Sequence, residues 1–326
     1  MKSDLLKSIF VSSAMLFGLS AGAAIAADDY PSRDIRMVVP FAAGGGTDLI
    51  ARIMAEDLGK RLGGTIFVDN IEGAGGSIGA GVVASEPADG YTLLMATPGG
   101  VTMAPHVTEG LSYDALTSFD YVAMLTDAPM MLAVPASSPY NSLEELIAAA
   151  KAAPGDLMFA SSGVGGQQHL LIIHFGSLAG IDIVHVPYQG GSPAMLALVS
   201  GQVDAQIANY ATIKGQLEAG ELKVLATTTA ERLSQFPDLP TINEIVPGFV
   251  VRNWIGALLP AGTDAAIVDK LDAAFAEALV DPEVLKRLAD VGWEPLYMSQ
   301  GAFRDAVVEE YTLNGEILEQ AGLKIN

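Results

Sequence analysis

Cysteine is absent from all 326 residues, which excludes disulfides, thiolate nucleophiles, iron–sulfur clusters, cysteine-type zinc sites and a lipid-bearing N-terminal cysteine. Basic residues are scarce: 17 Lys plus Arg stand against 38 Asp plus Glu, a formal net charge of -21. Such a chain repels phosphate backbones and anionic membrane surfaces, so nucleic acid is excluded as a partner. With aromatics at only 7%, a carbohydrate cleft is not favoured, and Trp254 and Trp293 read as core rather than sugar platforms. The histidines, His106, His169, His174 and His185, form no i,i+4 pair and no H-E-x-x-H. No metal and no cofactor is therefore expected. Beyond the N-terminus no apolar run is long enough to cross a bilayer. The stretch from Val122 to Ala136 is interrupted by Asp127, Pro129 and Pro135 and reads as two strands, so the mature chain is not membrane-embedded.

What is present begins with an address. Lys2 and Lys7 precede the uncharged run Ile9 to Ala27, and Ala24-Ile25-Ala26 supplies small residues around a cleavage point. Residues 1–26 therefore read as a secretory signal peptide, cleaved near Ala26, with the mature protein free in the periplasm or outside the cell. Its removal takes two lysines and one aspartate, so the exported chain is strongly acidic.

The mature sequence alternates short β-branched or apolar runs with amphipathic stretches, the pattern of α/β layers. Strands are expected at 35–40, 66–70 and 92–96, each followed by a glycine loop, with helices over 48–62 and from about 77 to 85. The pattern restarts at about Asp127: a strand over 130–135, a helix over 143–152 capped by Ser142 with Glu145 in capping-box position, then strands at 157–161, 183–186 and 203–208 separated by helices. The apolar segment Val250 to Leu259 returns the chain, and helices over 264–279, 282–291 and 299–320 close it. This organisation implies an α/β protein of two domains, 27–127 plus 251–326 and 128–250, joined by a two-crossing hinge around a cleft. No repeat, heptad run or low-complexity linker interrupts it.

The chemistry resides in the loops. In Phe41-Ala42-Ala43-Gly44-Gly45-Gly46-Thr47-Asp48, three glycines remove every Cβ between a strand end and a helix start. Unpaired amides at a helix start stabilise an oxyanion without Arg or Lys, and Thr47 adds a hydroxyl. Asp48 reads first as a cap or as a brace for the loop. Ser161-Ser162-Gly163-Val164-Gly165-Gly166-Gln167-Gln168-His169 repeats the device in the other domain, where His169 either donates to a ligand or caps and packs. Two facing loops suit a ligand with two carboxylates, whose bonds strengthen when closure excludes water. Gly73-Ala74-Gly75-Gly76-Ser77-Ile78-Gly79 lacks the sixth-position glycine of G-x-G-x-x-G, the first loop lacks a P-loop lysine, and Ser161 and Ser162 lie outside G-x-S-x-G with no evident base. Catalysis has little support.

Taken in order, several segments resemble the substrate-binding receptors of tripartite tricarboxylate transporters, the Bug receptors. They are Tyr30-Pro31-Ser32-Arg33, Val39 to Asp48, Gly73 to Ala80, Asp89-Gly90-Tyr91-Thr92-Leu93-Leu94, Ser161 to Gly165, His185-Val186-Pro187-Tyr188, Gly201-Gln202-Val203-Asp204 and Phe236 to Thr241. The resemblance covers essentially the whole mature chain. It implies a monomeric periplasmic binding protein of type II-like flytrap form that closes on a small di- or tricarboxylate and delivers it to a permease of one large and one small membrane subunit. By the same resemblance, the ligand-binding residues are Phe41, Ala42, Gly45, Gly46, Thr47, Asp48, Ser161, Ser162, Gly163, Gln167 and His169, with Thr97, Tyr188 and Asp204 near the cleft and no catalytic residue. The chain departs from the family at Leu171-Ile172-Ile173-His174, where an acidic helix position is lost, and at Gln189, where a basic residue commonly stands. An exported enzyme acting on a carboxylate or ester, and a receptor presenting its ligand to a sensor kinase, are the alternatives.

Overall fold

A computed structural model of the chain describes residues 30–164, 167–188, 191–233, 235–320 and 322. The expected signal peptide and its cleavage point lie outside the described residues, as do Gly165, Gly166 and Gln189. The strands are β1 (Ile35–Val39), β2 (Ile66–Asn70), β3 (Thr92–Ala96), β4 (Phe119–Asp127), β5 (Met130–Pro135), β6 (Leu157–Ser161), β7 (Ile183–Pro187), β8 (Ala205–Asn209), β9 (Leu222–Thr227), β10 (Trp254–Pro260) and β11 (Glu294–Ser299). They form two sheets, a six-stranded one in the order β11-β4-β10-β3-β1-β2 and a five-stranded one in the order β7-β6-β8-β5-β9. The chain passes from the first sheet to the second between Asp127 and Met130 and returns between Thr227 and Trp254.

Each sheet is covered on both faces because its strands alternate. Along β1, Ile35, Met37 and Val39 enter one core cluster while Val38 enters another. The first cluster is covered by α1 (Gly46–Leu62), α9 (Ala265–Ala278) and α10 (Pro282–Asp290), through Ile50, Met54, Leu58, Leu271, Phe275 and Leu288. The opposite face is covered by α2 (Ser77–Ala84) and α11 (Gln300–Gln320), through Ala80, Val83, Phe303 and Val307. In the second sheet, α4 (Leu143–Ala152) and α5 (Gln167–Ala179) pack on Leu132, Phe159 and Ile207. Its other face receives α6 (Gly191–Val199) and α7 (Tyr210–Glu218) on Met131, Ala133 and Ala160.

The parallel strands set the site. β1 pairs in parallel with β2 and β3, and β6 with β7 and β8. Both crossings leave from the carboxyl ends of these strands, since Trp254 pairs with Asp127 and Met130 with Asn209. In open α/β sheets that end is where ligands bind.

Among the elements outside the sequence expectation are α7 (Tyr210–Glu218), β9 and β11. Ile213 is the one buried residue of α7, so no apolar stripe marks it. β11 alternates half-buried with exposed residues and contains Pro295, as edge strands do. The capping box expected at Ser142 is half-formed: its hydroxyl accepts from the Glu145 amide, but the Glu145 carboxylate accepts from Asn141. A complete box caps the short helix α8 (Ile242–Ile245), between Thr241 and Glu244.

Candidate functional site

The first loop leaves β1 and enters α1 at Gly46, two residues ahead of the expected start. Gly45 is the N-cap in extended conformation and no side chain caps the helix, so its first amides face outward. The loop is held from below by Asp48, which is 1% exposed. Its Oδ2 accepts from the Gly44 amide at 2.8 Å and from Arg52 at 2.9 Å, and its Oδ1 from Asn70 and Arg52, both at 2.9 Å. Asn70 Nδ2 also donates to the Phe41 carbonyl at 2.9 Å. Burial opposes the Asp48 charge, but the bonds from Arg52, Gly44 and Asn70 outweigh it and hold the carboxyl below its ordinary value. The Asp48 carboxylate is thus committed to the loop, as the brace that is the first reading of this residue. Thr47 is half-buried; Ala42, Gly45 and Gly46 are exposed.

Glycines let the neighbouring loops close around this one. A Cβ at Gly99 would lie 2.5 Å from the Gly75 carbonyl oxygen, and one at Gly79 would lie 2.9 Å from Pro40. The 73–79 segment therefore packs backbone against backbone beside the loops after β1 and β3. Thr97, at the end of β3, has a buried Oγ1 with no hydrogen-bond partner among the described residues. Gly46 lies against the Trp293 ring, where an added Cβ would be 3.2 Å from the indole nitrogen. At Gly45 an added Cβ meets only the Ala42 carbonyl, at 3.4 Å. Gly45→Val is accordingly expected to leave the melting temperature of the free protein nearly unchanged while weakening carboxylate binding at least tenfold. Equal affinity in titration calorimetry would remove the close-approach argument.

The second loop follows β6. Ser161 is fully buried, and its hydroxyl lies 2.6 Å from His185 Nε2, 3.0 Å from the Gly163 carbonyl and 3.2 Å from the Gly163 amide. Ser161, like Asp48, braces its loop through these bonds. Ser162 is exposed with its amide bonded to Gln168 Oε1 at 2.8 Å, and the Tyr188 amide donates to the Ser161 carbonyl at 2.9 Å. The His169 ring stacks on His185 with centroids 3.7 Å apart. Burial lowers both imidazoles, with the mutual proximity adding to it at His185, which falls to about 4. Sequence reading missed the Ser161–His185 pair because 24 residues separate them. A serine with no solvent exposure beside so weak a base is a packing pair, not a nucleophile.

Gln167 opens α5 and its Nε2 donates to the Arg252 carbonyl at 3.3 Å, tying the second loop to the returning segment. Gly163, Gln167, His169 and Tyr188 therefore gather at the carboxyl ends of β6 and β7. Asp204 does not. It precedes β8 and accepts from the Met158 amide at 2.8 Å, near the start of β6, so it stands toward the opposite end of the sheet. Asn209, at the finish of β8, occupies the cleft end instead and accepts from Asn253 at 2.8 Å. The two lobes touch nearby: a Cβ at Gly292, next to Trp293, would be 3.2 Å from Ala211. Asn70, Asn209 and Trp293 were not anticipated; for the two asparagines the available signal was a polar residue closing an apolar strand.

Among the described residues no group of three or more His, Asp or Glu is arranged to hold a metal ion. No helix among them is long and apolar enough to cross a membrane.

Comparison with known proteins gives a consistent result. Residues 50–323 match the model of the tripartite tricarboxylate transporter family receptor. The chain is 35% identical to protein BugT of Bordetella pertussis, over 95% of this chain and 96% of that protein. It is similar to Rpa4515 of R. palustris, solved with adipate, at 36% identity and a TM-score of 0.77, covering 90% of this chain and 99% of the other. It is also similar to MatC of Rhodopseudomonas palustris, solved with bound malate, at 33% identity and a TM-score of 0.73, covering 89% and 100%.

Proposed function

Because this chain belongs to the tripartite tricarboxylate transporter receptor family, we propose that it is a periplasmic solute receptor that binds a small di- or tricarboxylate between its lobes and hands it to a permease of one large and one small membrane subunit. The lobes correspond to 27–127 plus 251–326 and to 128–250. The observation that carries this reading is the pair of strand-to-helix loops, one per lobe, at the carboxyl ends of parallel strands. The first offers the uncapped amides at the start of α1 and the Thr47 hydroxyl, the second the exposed Ser162 hydroxyl and the Gln167 side chain, and neither a cationic side chain.

One carboxylate is received by the amides at the start of α1, from Gly46, and by the Thr47 hydroxyl, with Gly45 giving close approach, between Phe41 and Ala42 on one side and Thr97 on the other. The unpartnered Thr97 hydroxyl supports this assignment. The other carboxylate meets Ser162, Gly163 and Gln167, with His169 and Tyr188 bordering the loop. Asp48 and Ser161 act one step removed, as positioning residues. Amide dipoles a few ångströms from the ligand outweigh a surface charge screened over roughly 10 Å, so an acidic receptor for an anion is electrostatically consistent. The adipate and malate of the two relatives support an aliphatic dicarboxylate.

The test is thermal unfolding of refolded, ligand-stripped protein against malate, adipate, citrate, aromatic acids, acidic amino acids, phosphate and sulfate. A ligand at a hundred times its dissociation constant adds about 2.7 kcal/mol, a visible shift. A shift confined to carboxylates is expected; a shift with phosphate or sulfate alone would overturn the substrate class. Thr47→Val, which keeps shape and removes one hydroxyl donor, should weaken the responding carboxylate by about 1.5 kcal/mol, near tenfold. Unchanged affinity would remove Thr47 from the site.

A further inference from the structure

Of the chain's two tryptophans, one has its hydrogen-bonding capacity used within the fold and the other does not. The Trp254 ring is fully buried and its indole N–H donates to Glu310 Oε2 at 2.6 Å. Trp293 is 8% exposed, its main-chain amide donates to the Leu288 carbonyl, and its ring packs with the core residues of α1 and α10. Its indole N–H has no hydrogen-bond partner among the described residues. The buried polar side-chain atoms left unbonded among those residues are Thr97 Oγ1, Thr126 Oγ1, His174 Nε2 and Gln206 Oε1, so the Trp293 N–H is not sealed in the core but reaches the surface. An indole nitrogen donates and cannot accept, and in a packed ring it normally has a partner. Here it is open to an acceptor that arrives from outside.

Its position says which acceptor. A Cβ added at Gly46, the first residue of α1, would lie 3.2 Å from Trp293 Nε1. The Cα–Cβ bonds of a helix tilt toward its N-terminus, so the space that Gly46 keeps open lies on the side to which the uncapped first amides point. An oxygen seated over Gly46 is therefore within hydrogen-bond reach of the indole as well as of those amides. The turn between α10 and β11 that carries Trp293 also touches the second lobe on both sides of it. Before it, a Cβ at Gly292 would be 3.2 Å from Ala211 of α7; after it, Glu294 Oε1 accepts from Gln235 Nε2 at 2.6 Å. The indole thus stands where the first loop and both lobes converge.

We propose that Trp293 is a further ligand-contact residue, whose indole N–H donates to the carboxylate held at the start of α1 and whose turn passes that contact to the second lobe. The inference rests on the receptor reading above and deepens it. Like the amides, the indole supplies a donor and no acceptor, so the end of the cleft that it completes fits an acceptor-only group, an ionised carboxylate. The contact comes from a segment about 250 residues away from the loop it serves, which is why the glycines of that loop give no sign of it.

With two tryptophans, the proton–nitrogen correlation spectrum of the protein carries two indole signals. Trp293→Phe assigns them; should that variant not fold, Glu310→Gln does so by shifting the signal of Trp254, its hydrogen-bond partner. When malate or adipate is added to ligand-stripped protein, the Trp293 signal should move downfield and its proton should exchange with solvent about tenfold more slowly. Trp293→Phe, which keeps an aromatic ring in the core and removes the donor, should bind the same acid about tenfold more weakly in titration calorimetry. A packing role alone would lower the melting temperature of Trp293→Phe and leave the indole proton of the unsubstituted protein unmoved by ligand. An unmoved Trp293 signal at saturating acid, or unchanged affinity in folded Trp293→Phe, would overturn the proposal and leave the receptor reading standing. If the unsubstituted protein binds no carboxylate at all, the receptor reading falls and the proposal with it, so the two failures are distinguishable.

Discussion

Asp48→Ala is expected to lower the unfolding free energy by about 2 to 3 kcal/mol and to abolish carboxylate binding at the first loop. The carboxylate is buried and receives bonds from the Gly44 amide, Arg52 and Asn70. Without it, Asn70 keeps its bond to the Phe41 carbonyl, but the Gly44 amide and the Asn70 amide are left short of an acceptor. Arg52 is about half exposed and recovers its hydration, which keeps the cost below that of breaking a fully buried pair. The binding loss is the larger part, because three successive glycines have no side chains to hold the loop once its brace is gone. Urea denaturation and titration calorimetry on the same preparation check both halves. A destabilised variant with normal affinity would show that the amides at the start of α1 are not the anion site.

Glu310→Gln is expected to become more stable relative to the parent protein as pH rises, by about 2 to 3 kcal/mol between pH 5 and pH 8. Burial is the leading cause of a Glu310 carboxyl pushed from 4.5 up to about 7, ahead of the bonds from Trp254 and Thr102, which lower it. Between those two values the folded protein retains a proton that the unfolded chain has released. The stability it carries is therefore fully present below about pH 4.5 and is lost as pH rises through 7. Glutamine fits the same place. Its oxygen accepts from Trp254, and its amide donates to the Thr102 hydroxyl, which has the Pro98 carbonyl at 3.1 Å as an alternative acceptor. His185, lowered to about 4, moves the parent protein's own profile the other way over much of this range. The difference between the two proteins, measured by urea denaturation at each pH, reports Glu310 together with its coupling to Asp127, whose carboxyl burial raises to about 6. A difference independent of pH would mean that Glu310 ionises as freely in the folded protein as in the unfolded chain.

Much of this arrangement is legible in the chain order of its residues. The apolar runs at 35–39, 66–70 and 92–96 and the glycines behind them identify strands with loops at their ends, and the structure has strands at those positions. Positions 41–47 and 161–163 were recognisable because backbone freedom and hydroxyls are properties of the residues themselves. The misses have a common cause. α7, β9 and β11 carry weak patterns, and the neighbours that stabilise them are distant in sequence.

Local sequence by itself determined that this is an α/β chain with two glycine loops opening onto helices, since periodicity, caps and helix-start amides are short-range properties. Tertiary structure alone decided which polar groups remain available to a ligand. Packing of strands far apart in the chain spends Asp48 on Arg52 and Asn70 and spends Ser161 on His185. It sets Asp204 toward the far end of β8 and Asn209 at the near one. Hydrogen-bonding capacity is a property of a residue, but whether that capacity is already used depends on what the fold brings beside it.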